Sequence, residues 1–306
     1  MDLHHVIEAQ QFDVPTLSRL METTQAMEQV VASGGTTQFR GRIMATLFYE
    51  PSTRTRFSFE TAMHRLGGSV ISTENAAEFS SVAKGETLED TIRILNGYAD
   101  VLVIRHYEVG SAKRASLVSR IPVINAGDGA GQHPTQALLD LYTIHKEIGA
   151  IDGLHIAMVG DLAQGRTVRS LTYLLSKFQN IRLYFVAPPL LKMKEDILEH
   201  LREKQVEYTE ETDLDKVLPL VDVVYQTRIQ KERFGDRIAD YEQCRGVYVI
   251  NSESLRLMKP NAIVMHPLPR LDEIAMEVDA DRRAAYFRQA QNGLYVRMAL
   301  LSVVLR

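Results

Sequence analysis

Short apolar stretches alternate along almost the whole chain with stretches in which apolar residues recur every three or four positions. The apolar stretches predict buried strands, at 43–49, 69–72, 100–105, 122–126, 154–159, 181–186, 221–227, 247–250 and 262–266. The helical patterns lie near 15–32, 53–66, 87–98, 134–148, 165–178, 190–204 and 284–304. This order predicts an α/β fold whose parallel sheets are covered by helices on both faces.

The chain has 306 residues, which is enough for two domains of ordinary size. A boundary is predicted at 125–134, where three glycines should loosen the chain before Pro134 begins a helix. We therefore expect two doubly wound parallel-sheet domains, residues 1–134 and 135–290, with an active-site cleft between them. Periodicity does not determine where the last helix docks, and we expect residues 291–306 to pack back on the first domain.

Composition and charge exclude several classes of protein. Apolar residues make up 45% and charged residues 24%, as in ordinary globular proteins. The net charge of −4 argues against broad binding to nucleic acid or to an anionic membrane. The single cysteine, Cys244, excludes an internal disulfide framework and fits a reducing compartment. With no apolar leader and no run approaching about 18 apolar residues, we expect a cytoplasmic protein.

The most informative segment is 50–60, Glu-Pro-Ser-Thr-Arg-Thr-Arg-Phe-Ser-Phe-Glu, which turns from a predicted strand into a predicted helix. Ser52 suits the helix N-cap. Backbone N–H groups, the positive end of the helix dipole and three hydroxyl side chains converge there, so the turn predicts a phosphate site. Arg54 and Arg56, two positions apart, strengthen that preference.

Polar residues also gather at the carboxyl ends of other predicted strands, where ligands bind in open α/β folds. Arg105 ends one strand, while His133 and Gln136 lie three residues apart at the start of a helix and so share a face. Further strand ends carry Arg166, Arg228, Gln230 and the segment His-Pro-Leu-Pro-Arg at 266–270. Each has a structural explanation when taken alone, such as an N-cap for His133. Their recurrence at nearly every strand end favours an anion-binding site.

Other chemistries find little support in the sequence. Residues 160–167 resemble a P-loop with Arg166 in place of the lysine, and no partner acid for magnesium is evident, which disfavours an NTPase. No G-x-G-x-x-G motif follows a strand. No His, Cys and Asp cluster has metal-ligand spacing, and no activated Ser or Cys nucleophile stands out. We therefore expect neither a metal nor a cofactor.

Together these motifs resemble the carbamoyltransferase family nearly from end to end. The family carries Ser-Thr-Arg-Thr, here residues 52–55, and His-Pro-x-Gln, here residues 133–136. Its aspartate branch is further marked by Lys-Gly-Glu at 84–86, Thr-Arg-x-Gln-x-Glu-Arg at 227–233 and His-Pro-Leu-Pro-Arg at 266–270. The first two motifs are specific when they occur together in this order.

Two alternatives stay within the family. The ornithine branch typically has a cysteine where Pro267 stands and a Ser-Met-Gly loop, and this sequence has neither. An ammonium side chain would also want an acidic or thiol partner in place of Arg228 and Gln230. A non-catalytic relative that acts as a scaffold would have lost some of the donors, whereas all of them are present here. Residues 234–246 match no motif, so we assign them no role.

The resemblance implies an activity and a set of roles. The carbamoyl group of carbamoyl phosphate would pass to the amino group of L-aspartate, giving N-carbamoyl-L-aspartate and phosphate in de novo pyrimidine synthesis. Domain 1–134 would bind carbamoyl phosphate and domain 135–290 aspartate. The implied catalytic residues are Arg54, Thr55, Lys84, Arg105 and His133. The implied carbamoyl-phosphate contacts are Ser52, Thr53, Arg54, Thr55, Ser80, Arg105, His133, Gln136, Pro267 and Leu268. The implied aspartate contacts are Lys84, Arg166, Arg228 and Gln230.

The resemblance also implies partners. Ser80 and Lys84 would reach into the active site of a neighbouring chain, so we expect a homotrimer with shared sites. Glu50 would form salt bridges to Arg166 and Arg233 when the two domains close. Regulatory subunits or a dihydroorotase partner are compatible with the resemblance, and the sequence does not decide between them. We expect no nucleic-acid or membrane partner.

Overall fold

The computed structural model describes residues 3–74, 76, 85–231 and 234–306. The chain forms two compact units, one made of Met1–Leu139 with Gln291–Arg306 and the other of Asp140–Ala290. Each unit contains one parallel sheet flanked by helices, so the predicted α/β class with two parallel sheets is confirmed. Among the described residues, no helix has the length and apolar character needed to cross a bilayer.

The sheet of the first unit has the strand order β2-β1-β3-β4, and every described pair of strands is parallel. Its strands are β1 (Ile43–Phe48), β2 (Ser69–Glu74), β3 (Val101–His106) and β4 (Val123–Asp128). The helices are α1 (Val14–Ala32), α2 (Thr53–Arg65), α3 (Leu88–Leu95), α4 (Ser111–Val118), the start of α5 (Pro134–Ile148) and most of the last helix, α11 (Tyr286–Val304). Strands β1, β3 and β4 are buried along nearly their whole length, which explains their continuous apolar runs.

The sheet of the second unit has the order β7-β6-β5-β8-β9, again with parallel pairs. Its strands are β5 (His155–Val159), β6 (Arg182–Val186), β7 (Glu207–Glu211), β8 (Val223–Gln226) and β9 (Ile263–Met265). The helices are the rest of α5, α6 (Arg166–Leu175), α7 (Glu195–Glu203), α8 (Leu214–Val217), α9 (Ile238–Cys244), α10 (Ser252–Leu257) and the start of α11. A large apolar cluster packs against β5, β6, β8 and β9.

Most predicted elements are confirmed to within a few residues, and the errors have physical causes. The apolar pattern does not predict β7, because this edge strand reads Glu-Tyr-Thr-Glu-Glu and is only partly buried. The predicted strand at 247–250 is wrong, since only Ile250 forms an isolated bridge, to Ile274. Helices α4, α8, α9 and α10 are not predicted by the apolar pattern; they have only four to eight residues, so each offers few apolar positions from which to detect a helical period.

Candidate active site

In the first unit, three neighbouring strands bring predicted site residues to one edge of the sheet. Strand β3 lies between β1 and β4, with Phe48 paired to Arg105 and Ile104 paired to Asn125. Because the strands are parallel, their carboxyl ends meet at the same edge. The chain after β1 leads to Ser52, β3 carries Arg105 near its end, and the chain after β4 leads to His133.

The start of α2 has the features of an anion site. Ser52 occupies the N-cap, yet its side chain makes no capping hydrogen bond, so the hydroxyl is not used to close its own helix. The first hydrogen bond of the helix runs from the Arg56 N–H to the Ser52 carbonyl, at 3.2 Å. The backbone N–H groups of residues 53–55 come before it in the chain and so lie in the first turn of the helix. Such groups point out of the helix end towards any bound anion. Thr55 is buried, whereas Thr53 and Arg54 are exposed.

The two arginines of this turn differ, which corrects the expectation that both serve the phosphate site. The Arg56 guanidinium donates to Glu74 at 2.9 Å and lies 3.6 Å from Glu60. Arg56 thus ties α2 to the end of β2, and its charge is offset by two carboxylates. The exposed Arg54 is therefore the stronger candidate for the phosphate.

Glu50 and Arg105 are neighbours at the sheet edge. The Tyr49 N–H donates to the Arg105 carbonyl at 2.9 Å, which brings the chain after β1 alongside the end of β3. The Arg105 Nε then lies 3.2 Å from Glu50 Oε2, with both side chains partly buried. The expected salt bridges from Glu50 to Arg166 and Arg233 stay a prediction, and Arg233 lies outside the described residues.

The glycine-rich segment after β4 is not the loose linker that its composition predicts. The Asp128 carboxylate is buried and accepts hydrogen bonds from the Gly110 and Gln132 N–H groups, both at 2.7 Å. A side chain on Gly129, whose φ is +50°, would bring a Cβ to within 2.4 Å of the Tyr107 carbonyl oxygen. These glycines therefore permit close backbone packing, which holds the segment that leads to His133.

His133 and Gln136 lie at the start of α5 as expected. The His133 carbonyl accepts the N–H groups of Gln136 at 3.0 Å and Ala137 at 3.1 Å, so His133 occupies the N-cap position. The His133 and Gln136 side chains are both buried, with 3% and 9% of their surface exposed. His133 therefore meets α5 through its backbone carbonyl, and its imidazole is buried at the start of the same helix.

The second unit repeats this arrangement with β5, β8 and β9 as neighbours. The end of β5 leads to Arg166, the first residue of α6, and the chain after β8 carries Arg228 and Gln230, all three partly buried. The Thr227 N–H and hydroxyl both donate to the Val159 carbonyl at 2.8 Å, which locks the ends of β5 and β8 together.

The turn at 266–270 follows β9 and is held by the buried His266. Its Nδ1 accepts the Leu268 N–H at 2.8 Å, so the proton resides on Nε2, which faces Glu273 Oε1 at 2.8 Å. Burial raises the pKa of Glu273, but the hydrogen bond from His266 and those from the backbone outweigh it, and the pKa is lowered overall. Arg270, the last residue of the motif, pairs with Asp279 and the Tyr286 hydroxyl instead of extending the site.

Some residues at these strand ends are absent from the sequence-based prediction, and two predicted site residues lie outside the described part of the chain. Asp128 and Glu273 shape these segments, and only the position of Asp128 among glycines signals such a role. Thr227 begins the motif at 227–233, but the sequence does not predict its hydrogen bonds to Val159. Ser80 and Lys84 lie outside the described residues. In the part of the chain that the structure describes, no group of three or more His, Cys, Asp or Glu side chains could hold a metal ion.

Comparisons with known proteins cover nearly all of the chain. Residues 4–146 match the model of the aspartate/ornithine carbamoyltransferase carbamoyl-P binding domain, and residues 152–304 match that of the Asp/Orn binding domain. The pea (Pisum sativum) protein named aspartate carbamoyltransferase 1, chloroplastic, is 62% identical over 99% of this chain and 79% of its own length. The aspartate carbamoyltransferase catalytic subunit of Thermoplasma acidophilum is 52% identical, over 98% of this chain and 97% of that protein.

A solved structure agrees with these relatives. Aspartate transcarbamoylase from Trypanosoma cruzi, crystallised with carbamoyl phosphate and aspartate, superposes with a TM-score of 0.94. It is 45% identical to this chain and covers 100% of it and 98% of the crystallised chain. Since both domain models and relatives of more than half identity extend along the chain, it belongs to the aspartate/ornithine carbamoyltransferase family.

Proposed function

We propose that this chain is the catalytic subunit of an aspartate carbamoyltransferase of the pyrimidine pathway. It transfers the carbamoyl group of carbamoyl phosphate to L-aspartate and releases N-carbamoyl-L-aspartate and phosphate. The observation that supports this proposal most directly is that one chain combines two features. The N-terminus of α2 is suited to an anion, and the second unit presents the guanidinium groups of Arg166 and Arg228 after its strands. The high identity to proteins named for this reaction supports the proposal.

Carbamoyl phosphate binds first, with its phosphate at the start of α2. Ser52, Thr53 and Thr55 supply hydroxyls, and Arg54 supplies a planar fork of donors for phosphate oxygens. The open capping position of Ser52 supports this assignment, because its hydroxyl can turn to the ligand without losing a helix cap. We assign Ser80 to the same group of carbamoyl-phosphate contacts on the resemblance alone.

The aspartate amine then attacks the carbamoyl carbon. The C–O bond to phosphate breaks, and the amine proton leaves with the phosphate. Negative charge develops on the carbamoyl oxygen in the tetrahedral intermediate, and we assign its donors as Thr55, Arg105 and His133. Loss of one such donor should cost about 2.7–4 kcal/mol, while positioning of the two substrates contributes roughly 7–11 kcal/mol. Gln136 and the carbonyls of Pro267 and Leu268 hold the carbamoyl NH₂ group.

The second substrate is recognised by its two carboxylates. Arg166 and Arg228 present planar donor pairs, which fit carboxylates better than an ammonium group does, and Gln230 assists. Lys84 is assigned as a further aspartate contact. Ornithine is disfavoured because its ammonium group would face the Arg228 guanidinium instead of a carboxylate.

Two variants in the same helical turn test the phosphate assignment. Arg54→Ala should abolish turnover and leave the fold intact, because its side chain is exposed. Arg56→Ala is the matched control, since Arg56 is paired with Glu60 and Glu74, and it should lower stability more than turnover. Steady-state formation of carbamoyl aspartate and urea unfolding separate the two effects. Near-normal turnover of Arg54→Ala would refute the assignment.

The assembly is a homotrimer whose sites receive Ser80 and Lys84 from a neighbouring chain. Mixed trimers of Lys84→Ala and His133→Ala chains should regain part of the activity, because some sites then combine two intact contributions. No recovery after demonstrated exchange of subunits would contradict shared sites. A cytoplasmic location also stays a prediction, and the pea relative is named as chloroplastic.

One assay tests the reaction itself. The protein is incubated with carbamoyl phosphate and a panel of amino acids that includes aspartate, glutamate and ornithine. Carbamoylation of aspartate alone is expected. Preference for ornithine would assign the chain to the other branch, and no transfer to any amino acid would favour a binding or scaffold role.

A further inference from the structure

A fully buried carboxylate in the second unit has no part in the proposed chemistry. Asp140, on α5, is 0% exposed, and its two oxygens face different partners. Oδ2 accepts the Tyr225 hydroxyl at 2.7 Å, and Oδ1 accepts Nε2 of Gln289 at 2.7 Å. Tyr225 and Gln289 are also buried, with at most 1% of their surface exposed.

The hydrogen bonds continue from Gln289 to the turn after β9. The Gln289 Oε1 accepts the His266 N–H at 2.8 Å, and the His266 Nδ1 in turn accepts the Leu268 N–H at 2.8 Å. An unbroken series of polar contacts therefore joins Asp140 to the backbone of Leu268. The other branch reaches Tyr225 in β8, three residues before Arg228, and continues through a side-chain hydrogen bond between Tyr225 and Thr167.

The turn that this series reaches needs support. Leu268 has a φ of +55°, in the left-handed region that residues with a side chain seldom adopt. Within the described residues, the carbonyls of Pro267 and Leu268 accept no backbone hydrogen bond, so they can face a ligand. A backbone held in a rare conformation keeps its place only when its surroundings determine it.

An apolar side chain at position 140 would fill the same space without burying a charge, which is costly. What an apolar residue cannot supply is two acceptors that fix the orientation of Tyr225 and Gln289. The placement of Asp140 is thus better explained by geometry at the two strand ends than by stability.

We propose that Asp140 is a positioning residue, which orients the Pro267–Leu268 carbonyls through Gln289 and His266 and the β8 end through Tyr225. This proposal rests on the proposed function, because it assumes that those carbonyls hold the carbamoyl group. Asp140 is fully buried, and we assign it no contact with either substrate.

The direction of each hydrogen bond provides a test by exchange. In Asp140→Asn, the single amide oxygen can accept from Tyr225 or from Gln289 but not from both. If it accepts from Tyr225, its NH₂ group faces the NH₂ group of Gln289, and a flip of Gln289 only moves the conflict to the His266 N–H. If it accepts from Gln289, its NH₂ group faces the Tyr225 hydroxyl, which loses its acceptor at position 140. In the double variant Asp140→Asn with Gln289→Glu, the amide oxygen at position 140 still accepts from Tyr225, and the amide NH₂ donates to the carboxylate introduced at position 289. The second oxygen of that carboxylate still accepts the His266 N–H.

We therefore expect Asp140→Asn to lower kcat/KM for aspartate by roughly 10- to 100-fold, the size expected when reacting groups are slightly misplaced. The loss falls in kcat if the Gln289 branch is broken and in KM if the Tyr225 branch is broken. Gln289→Glu alone should lower kcat by a similar factor, because the new carboxylate would face the Asp140 carboxylate. The double variant should recover most of the lost kcat. Tyr225→Phe removes only the other branch, so it should affect the KM for aspartate more than kcat.

Thermal unfolding of each variant separates a loss of hydrogen-bond orientation from a loss of fold stability. The proposal predicts that kcat follows the hydrogen-bond pattern and not the order of melting temperatures. It is overturned if Asp140→Asn retains wild-type kcat/KM for aspartate, if Gln289→Glu retains wild-type kcat, or if the double variant is inactive or does not fold. Failure of the proposed function is distinguishable, because the wild-type protein would then not carbamoylate aspartate.

Discussion

Replacing Gly160 by alanine should damage both the stability of the second unit and its affinity for aspartate. Gly160 directly follows β5 and has a φ of +110°, which an L-residue with a side chain rarely adopts. A Cβ there would lie 2.5 Å from the carbonyl oxygen of Thr227 and 2.7 Å from its hydroxyl oxygen. Thr227 immediately precedes Arg228, so relief of this clash must move the strand end that carries the proposed aspartate ligand.

The expected loss of unfolding free energy has two parts. Adopting a positive φ with a side chain costs roughly 1–2 kcal/mol. Overpacking against a backbone that is already hydrogen-bonded adds about 1–3 kcal/mol. Gly153→Ala is the matched control, because Gly153 has a φ of +79° and a Cβ there would meet nothing within 4 Å. The control should therefore lose only the first part.

Urea unfolding of both variants and the KM for aspartate measure the two consequences. We expect Gly160→Ala to be the less stable variant and to have a raised KM, while Gly153→Ala keeps the wild-type KM. Equal stability of the two variants, together with an unchanged KM for aspartate, would refute the inferred coupling between Gly160 and the end of β8.

Two further predictions concern buried or paired carboxylates. Asp128→Asn should lower the free energy of unfolding by about 1–3 kcal/mol and reduce kcat, because the new NH₂ group must face the N–H of Gly110 or Gln132. Urea unfolding and steady-state turnover measure the two effects. Unchanged stability and turnover would contradict this prediction. Hydrogen bonds from Arg283 lower the pKa of Asp281 from 3.8 to about 2, so the carboxylate stabilises the fold above about pH 4 and loses this effect as the pH falls towards 2. The stability deficit of Asp281→Asn should therefore be full at neutral pH and shrink in acid, and a deficit independent of pH would count against this pairing.

The elements that hold the site were largely predictable from periodicity. The start of α2 illustrates why, since an apolar strand, a serine at the N-cap and helical spacing all lie within one continuous segment. Strand β7 shows the limit of this approach, because an edge strand with Glu at three of five positions has no apolar alternation to detect. The short helix α10 begins with Asn251 and Ser254 in a capping box, a local signal that apolar periodicity alone overlooks.

The partners of individual charges were not predictable. Arg54 and Arg56 look equivalent in sequence, yet the structure pairs Arg56 with Glu74, eighteen positions away at the end of a neighbouring strand. The glycines around Asp128 indicate flexibility by composition, whereas the buried carboxylate makes them a fixed part of the backbone.

By itself, the sequence determined the α/β class, most of the strands and helices, and the residue types offered at each strand end, because these depend on local periodicity and composition. Tertiary structure alone decided which strands are neighbours, which cations are already paired with carboxylates, and that Asp140 is connected by hydrogen bonds to the turn after β9. Those features join residues distant in sequence, and their energies depend on distances and burial that arise only when the sheets assemble.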